Sequence, residues 1–356
     1  MNAAWRRAEE FARRFGMSRA ICLAPMAGVP APALSIAVGR AGGLGGCGAL
    51  LMKPGEIHAW AKQVREGTRG GFQINDWIPD PPPRRDAPHE TRVREFLAAW
   101  GPPVPPDAGD TALVDFRAQC EAILEVAPAA VSSIMGLYPP EMVKRFADRG
   151  IAWFANVTTV AEAKAAAAAG ADVIVAQGAE AGGHRGAFEA GAAEQRLIGL
   201  FALLPAVVDA VSVPVIATGG IADGRGIAAA LTLGASAVQI GTGFLRCPES
   251  GIPPAWTAAL AGTLPEDTSL TRAFSGRLGR AIANDYVRAA AAADAPAAAP
   301  YPVQRGLTAG MRATALKEGD VRRMQAWAGQ SAALARVMPA GTLVETLWDE
   351  ARALLN

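Results

Sequence analysis

Val213-Pro214-Val215-Ile216-Ala217-Thr218-Gly219-Gly220-Ile221, then an Ala/Leu-rich helical pattern at 226–233, then Ala237-Val238-Gln239-Ile240-Gly241: this stretch decides the fold. The first run is apolar at consecutive rather than alternate positions, as in a strand buried on both faces. Strand, helix and strand of this kind make a βαβ unit with parallel strands. The same alternation extends back toward the N-terminus. Runs at 21–26, 43–48, 72–75, 130–135, 151–157 and 171–177 read as strands, with helical patterns at 32–40, 115–125, 139–148, 160–169 and 195–210. Together they give eight candidate strands, which predict a TIM (β/α)8 barrel ahead of an open doubly wound sheet.

Two stretches break the rhythm. From 79 to 106 the chain is crowded with proline (Pro79, Pro81, Pro82, Pro83, Pro88, Pro102, Pro103, Pro105, Pro106) around a charged helical piece at 90–100. It reads as a long excursion on one βα connection, and such loops in compact domains are functional lids or mobile linkers. After Arg246 the alternation stops. The expected organisation is a barrel over 1–247 and a mostly helical cap over 248–356, whose last helix is free to return to the barrel. The Ala/Pro-rich piece at 289–300 reads as a slack surface connection.

Composition narrows the function. Of 356 residues, 51% are hydrophobic and 19% charged, so a sizeable core is available and global disorder is excluded. Lysine and arginine number 34 against 33 acidic residues, a net charge of +1 that offers no pull toward nucleic acid or an anionic membrane. No apolar run reaches the roughly 18–20 residues of a spanning helix. The N-terminus, with Arg6, Arg7, Glu9, Glu10, Arg13 and Arg14, reads as a charged amphipathic helix and not a secretory signal. Cys22, Cys47, Cys120 and Cys247 are scattered, which argues against disulfides or zinc and for a reducing cytoplasm. With only His58, His89 and His184, a histidine metal centre is not expected.

In such a barrel the active site sits at the C-terminal ends of the strands. The first strand leads into Ala24-Pro25-Met26-Ala27-Gly28, the third into Asn75-Asp76-Trp77, and the sixth into Gln177-Gly178-Ala179-Glu180-Ala181-Gly182-Gly183-His184-Arg185-Gly186. The seventh ends in Thr218-Gly219-Gly220 and the eighth in Gln239-Ile240-Gly241-Thr242. Glycines let backbone N–H groups approach an anion, so the last two loops together predict a phosphate-bearing ligand. His184 is the one histidine at a strand end, fit for a general base or a hydrogen-bond donor to an anion. Asn75 either binds a ligand amide or caps its turn. Glu180 reads as a strut for the loop, and Arg277 and Arg280 as solvated charges. Tyr301 lies where the cap folds over the rim.

The sixth-strand string resembles the signature of the nitronate monooxygenase family, once called 2-nitropropane dioxygenases. The likeness extends through Ala24-Pro25-Met26-Ala27-Gly28, Gly42-Gly43-Leu44-Gly45, Asn75-Asp76-Trp77-Ile78-Pro79, Ile216–Ile221 and Val238–Thr242, and through Ala273-Phe274-Ser275-Gly276-Arg277, Tyr301-Pro302-Val303-Gln304 and Trp327-Ala328-Gly329-Gln330. The late segments resemble the larger class, whose preferred substrate is propionate 3-nitronate. The resemblance implies an FMN-dependent oxidation of nitronates by O2 to a carbonyl product and nitrite. It implies FMN contacts from Ala24, Pro25, Met26, Asn75, Gln177, Gly182, Gly183, Gly219, Gly220, Gln239, Gly241 and Thr242. His184 would face the substrate as the catalytic residue, Tyr301 would touch the substrate, and no metal is implied. Monomer and homodimer both remain open. The chain departs from the pattern at Leu23, where many members have Gln, and at Gly48-Ala49-Leu50-Leu51, where they carry a Gly-Ala-Gly-Tyr-like turn. FMN-dependent enoyl-acyl-carrier-protein reductases share a similar Glu-Ala-Gly-Gly-His loop and give the alternative activity; a barrel binding a phosphorylated ligand without redox chemistry gives the other.

Overall fold

Apolar strands covered on both faces must also pair on both edges, and here they close on themselves. A computed structural model describes residues 3–29 and 31–355. Its strands in chain order are β1 (Ile21–Leu23), β2 (Gly45–Gly48), β3 (Phe72–Trp77), β4 (Ala130–Ile134), β5 (Ala152–Val157), β6 (Val173–Gln177), β7 (Gly183–His184), β8 (Val215–Thr218), β9 (Ala237–Ile240), β10 (Thr268–Thr271) and β11 (Gly279–Ile282). Eight of them form one parallel sheet in the order β1-β9-β8-β6-β5-β4-β3-β2. The ends meet through a parallel bridge between Cys22 and Leu44. There Leu23 N donates to Leu44 O at 2.8 Å and Leu44 N to Ile21 O at 3.0 Å. The fold is a TIM barrel, as expected.

Local sequence sets where the helices begin. Asp115, Thr159 and Asp223 cap the helices Phe116–Val126, Val160–Ala168 and Gly224–Thr232, accepting from the N–H three residues on. The helical pattern at 195–210 starts only at Leu200. Its entry is held by the Glu180 carboxylate, which accepts from Leu200 N at 2.9 and 3.0 Å.

The first and last described helices pack on the barrel. The helix Ala3–Arg14 buries Trp5, Ala8, Phe11 and Ala12, with Trp5 against Trp348 at 4.4 Å. The helix Ala340–Leu355 buries Leu343, Val344, Leu347, Trp348 and Ala351, a stripe at helical spacing. It packs against Gly224–Thr232 and Pro32–Arg40, filling the gap left where the chain departs after β9.

Between those points the chain builds a second layer over the barrel mouth. This cap is mostly helical, but β10, β11 and β7 also form a three-stranded antiparallel sheet. β7 comes from the loop after β6, so the sheet stitches barrel to cap. The proline-rich excursion supplies the helix Ala87–Leu97, whose Val93 and Leu97 are buried with Phe274, Tyr286, Val303, Leu307 and Met311. The Ala/Pro-rich piece is partly anchored, with Ala299 buried and the His89 ring meeting the Ala297 carbonyl at 2.8 Å.

Candidate active site

The strand ends and the cap enclose a cavity of about 300 Å³, within the range of small-molecule sites. Ala24, Pro25, Met26, Asn75, Gln177, Gly182, Gly183, His184, Gly219, Gly220, Gln239, Gly241 and Thr242 all line it. Tyr301 stands one layer back, its ring stacked on Trp77 at 4.9 Å and 11°. Trp77 itself is in the wall. Leu50 and Leu51, at the second departure from the family pattern, give that wall an apolar face.

One end is built from backbone. Gly219 and Gly220 turn through φ of +115° and +70°, which side-chain-bearing residues adopt only with strain. Among the described residues nothing accepts from the N–H groups of Gly219, Gly220, Gly241 or Thr242. Thr242 Oγ1 is used from the other side, accepting from Gly329 N of the cap at 3.0 Å. Four unpaired donors on two adjacent loops fit an anion.

The floor is amide-rich. Asn75 Nδ2 donates to Ser132 Oγ at 3.0 Å, and Gln73 Nε2 to Gln239 Oε1 at 2.9 Å. Asn156 Nδ2 is buried with no partner among the described residues. The Gln177 amide holds the loop, donating to His184 O at 3.0 Å and accepting from Gly186 N at 2.8 Å.

His184 is fixed from three sides. Its backbone pairs with Gly279 of β11. Its ring lies between Trp77 and Trp327, 4.9 Å from each centroid. Nε2 meets Ser275 Oγ at 2.8 Å. The ring keeps part of its surface open to the cavity, yet burial pushes its pKa down to about 3, with the cations of Arg277 and Arg305 adding to the effect. At neutral pH the imidazole is uncharged. It acts as a hydrogen-bonding group, not as a fixed cation.

Arg277 and Arg280 are buried, not solvated. Arg277 pairs with Asp80 of the excursion at 3.0 Å, while Arg280 donates to Ala179 O at 3.0 Å and Thr268 Oγ1 at 2.9 Å. Their partners are distant in sequence, so local pattern could not show the burial. Sequence reading also passed over Ser132, Asn156, Trp77, Trp327, Arg305 and Arg312, all in the wall. Asn156 carries a local signal, being the one amide near the C-terminal end of the otherwise apolar β5. Trp77 directly follows Asn75-Asp76 at the end of the third strand, whereas the arginines carry no local signal.

Behind Asn75 lies a buried carboxyl. Asp76 accepts from Trp77 N at 3.0 Å and meets Cys120 Sγ at 3.4 Å, with no cation paired to it among the described residues. Burial raises its pKa from 3.8 to about 7, those two hydrogen bonds pulling the other way. The folded state therefore holds a proton that the unfolded chain releases near 3.8. Stability from this group is full below that pH and is lost as pH rises through 7. The loss is on the order of a few kcal/mol. Thermal melts should show the parent weakening from pH 5 to 8 and Asp76→Asn flattening that slope; an identical slope in the variant excludes Asp76 as the cause.

Comparison with known proteins places this geometry. The family model described as nitronate monooxygenase matches residues 12–350. The chain belongs to the nitronate monooxygenase family. A nitronate monooxygenase of Paraburkholderia phytofirmans is 40% identical over 341 residues, covering 94% of this chain and 93% of the relative. One of Pseudomonas aeruginosa is 40% identical over 349 residues, covering 97% and 99%. Among solved structures, a nitroalkane oxidase of Streptomyces ansochromogenes superposes with a TM-score of 0.87 at 36% identity, covering 98% of this chain and all of that one (100%). FabK of Thermotoga maritima gives 0.76 at 26% identity, covering 97% and 96%. The chain is therefore an enzyme, an oxidoreductase of nitronates with a small-molecule substrate. No described helix is long and apolar enough to cross a membrane.

Proposed function

We propose that the enzyme is an FMN-dependent monooxygenase that converts alkyl nitronates, propionate 3-nitronate or one like it, with O2 to a carbonyl product and nitrite. The observation that carries the reading is one cavity with an anion cradle at one end and a neutral histidine between two tryptophans elsewhere in its wall. The unpaired N–H groups of Gly219, Gly220, Gly241 and Thr242 suit the FMN phosphate. Met26, Asn75, Asn156 and Gln177 are the residues available to its ring, with Ala24, Pro25, Gly182, Gly183 and Gln239 completing the seat. Bound there, FMN supplies the electron acceptor and the reactivity toward O2.

The remaining work belongs to the chain. His184 donates a hydrogen bond from Nδ1 to a nitronate oxygen while its Nε2 accepts from the Ser275 hydroxyl, which fixes the tautomer. Trp77 and Trp327 limit water on either side of it. A preformed nitronate needs no base. A neutral nitroalkane does, and an imidazole with its pKa near 3 is a weak one. The enzyme should therefore prefer nitronates to their parent nitroalkanes. The proposed setting is the cytoplasm, in keeping with four free, buried cysteines.

The Glu180–His184 loop, similar to that of FMN-dependent enoyl-acyl-carrier-protein reductases, motivates a second reading as an FMN-dependent enoyl-thioester reductase. One spectroscopic experiment separates the readings. The purified protein should be yellow, and its colour should fade on anaerobic addition of propionate 3-nitronate. Fading with NADH or NADPH, coupled to reduction of an enoyl thioester, favours the reductase. Colourless protein that cannot be reconstituted with FMN leaves only a phosphate-ligand barrel.

A further inference from the structure

The cap side of the cavity carries positive charge that no carboxylate balances. Arg305 and Arg312 both line it. Arg312 is held by neutral acceptors alone: Thr308 Oγ1 at 3.1 Å, Gln325 Oε1 at 3.2 Å and the Arg305 carbonyl at 2.8 Å. Burial, then the neighbouring Arg305 cation, lowers its pKa to about 10, which still leaves it charged at neutral pH. The Arg305 guanidinium is different. Among the described residues no acceptor and no carboxylate engages it, although its charge is felt by His184, Tyr301 and Arg312. Asp80, an acid that also acts on Tyr301, is taken by Arg277 at 3.0 Å.

A buried guanidinium that no carboxylate balances, with a second cation beside it, favours entry of an anion into the adjoining cavity. A simple alkyl nitronate brings one negative charge, which the proposed function assigns to His184. Arg312 has three of its five N–H groups engaged, whereas among the described residues the Arg305 guanidinium has none engaged, so Arg305 offers the free fork. A planar fork of free N–H groups matches a carboxylate. We infer that Arg305 is a specificity-determining residue, binding a carboxylate carried by the substrate at the end away from the reacting nitronate carbon. The inference rests on the nitronate reading above and adds which residue selects among nitronates.

The test compares propionate 3-nitronate with the nitronate of 3-nitropropionamide, which replaces the carboxylate with an uncharged amide of similar shape. The parent should favour the carboxylate in kcat/KM. Arg305→Gln should lower kcat/KM for the carboxylate by roughly 10- to 100-fold, the worth of a charge-assisted contact, and through KM rather than kcat. It should leave the amide substrate nearly unchanged. Arg305→Lys, which keeps the charge and loses the fork, should fall between. A readout without turnover is the quenching of tryptophan fluorescence by 3-nitropropionate, whose Kd should rise by a similar factor in Arg305→Gln.

The inference is overturned if the parent treats both nitronates alike, if Arg305→Gln slows both equally, or if that variant loses its bound flavin. Each of those results leaves nitronate oxidation standing. If the parent oxidises neither nitronate, the proposed function fails instead, and the fluorescence titration alone decides Arg305.

Discussion

His184→Asn should purify with its visible absorbance intact, oxidise preformed nitronate about tenfold more slowly, and lose nearly all turnover of neutral nitroalkanes. The first expectation follows because the loop is held by Gln177 and the β7–β11 pairing, not by the imidazole. The second follows because one neutral hydrogen bond is worth about 1 kcal/mol and an amide can still donate. The third follows because asparagine cannot take a proton, and loss of a general base typically costs on the order of 10²–10⁴ in rate. The imidazole pKa near 3 adds a check on pH. Between pH 5 and 9 the ring does not change charge, so parent and variant should show nitronate profiles of the same shape. Initial rates on freshly dissolved nitroalkane and on pre-equilibrated nitronate measure all of this. Equal turnover of both substrates by variant and parent reduces His184 to a loop residue.

Gly182→Ala should strip the flavin from the purified protein, while Gly183→Ala should keep it. A methyl group at 182 would stand 2.5 Å from Gly329 N, 2.7 Å from Ala328 C and 2.9 Å from Thr242 Oγ1. The first two are backbone and cannot swing aside. The loop after β6 must then part from the cap, breaking the bonds from Gly329 N to Thr242 Oγ1 and from Gln330 N to Glu180 O. Both sit beside the loops proposed for the phosphate. Overpacking of this kind costs roughly 1–3 kcal/mol. Gly183 has φ of +74° and open space around the added methyl, so its alanine variant meets only backbone strain of roughly 1–2 kcal/mol. The ratio of visible to ultraviolet absorbance after gel filtration reads the outcome. Full retention of flavin by Gly182→Ala would remove the loop-to-cap contact from the account.

The barrel was legible because its strands are short apolar runs and its rim loops are rich in glycine and amides. Both signals are local. The loop holding His184 was legible for the same reason, since Gly182-Gly183-His184 follows a strand directly. What fixes His184 was not. β7 is two residues long and pairs with a strand nearly 100 positions later, and Ser275 reaches the ring from that same distant segment. Arg277 and Arg280 looked solvated because charged residues mostly are; their partners, Asp80, Ala179 and Thr268, meet them only in the folded cap. The proline-rich excursion reads in sequence as a functional lid or mobile linker, yet its helix shares a core with residues 273–311. Proline marks the breaks in a chain without showing where the piece between them will dock.

The most direct test of the central claim is oxygen uptake and nitrite release by the purified yellow protein on addition of propionate 3-nitronate in air-saturated buffer. Oxygen consumption with nitrite in proportion to the nitronate consumed is the result this structure predicts, and His184→Asn should slow it without abolishing it. No oxygen uptake and no nitrite, from protein that carries its full flavin, would contradict it.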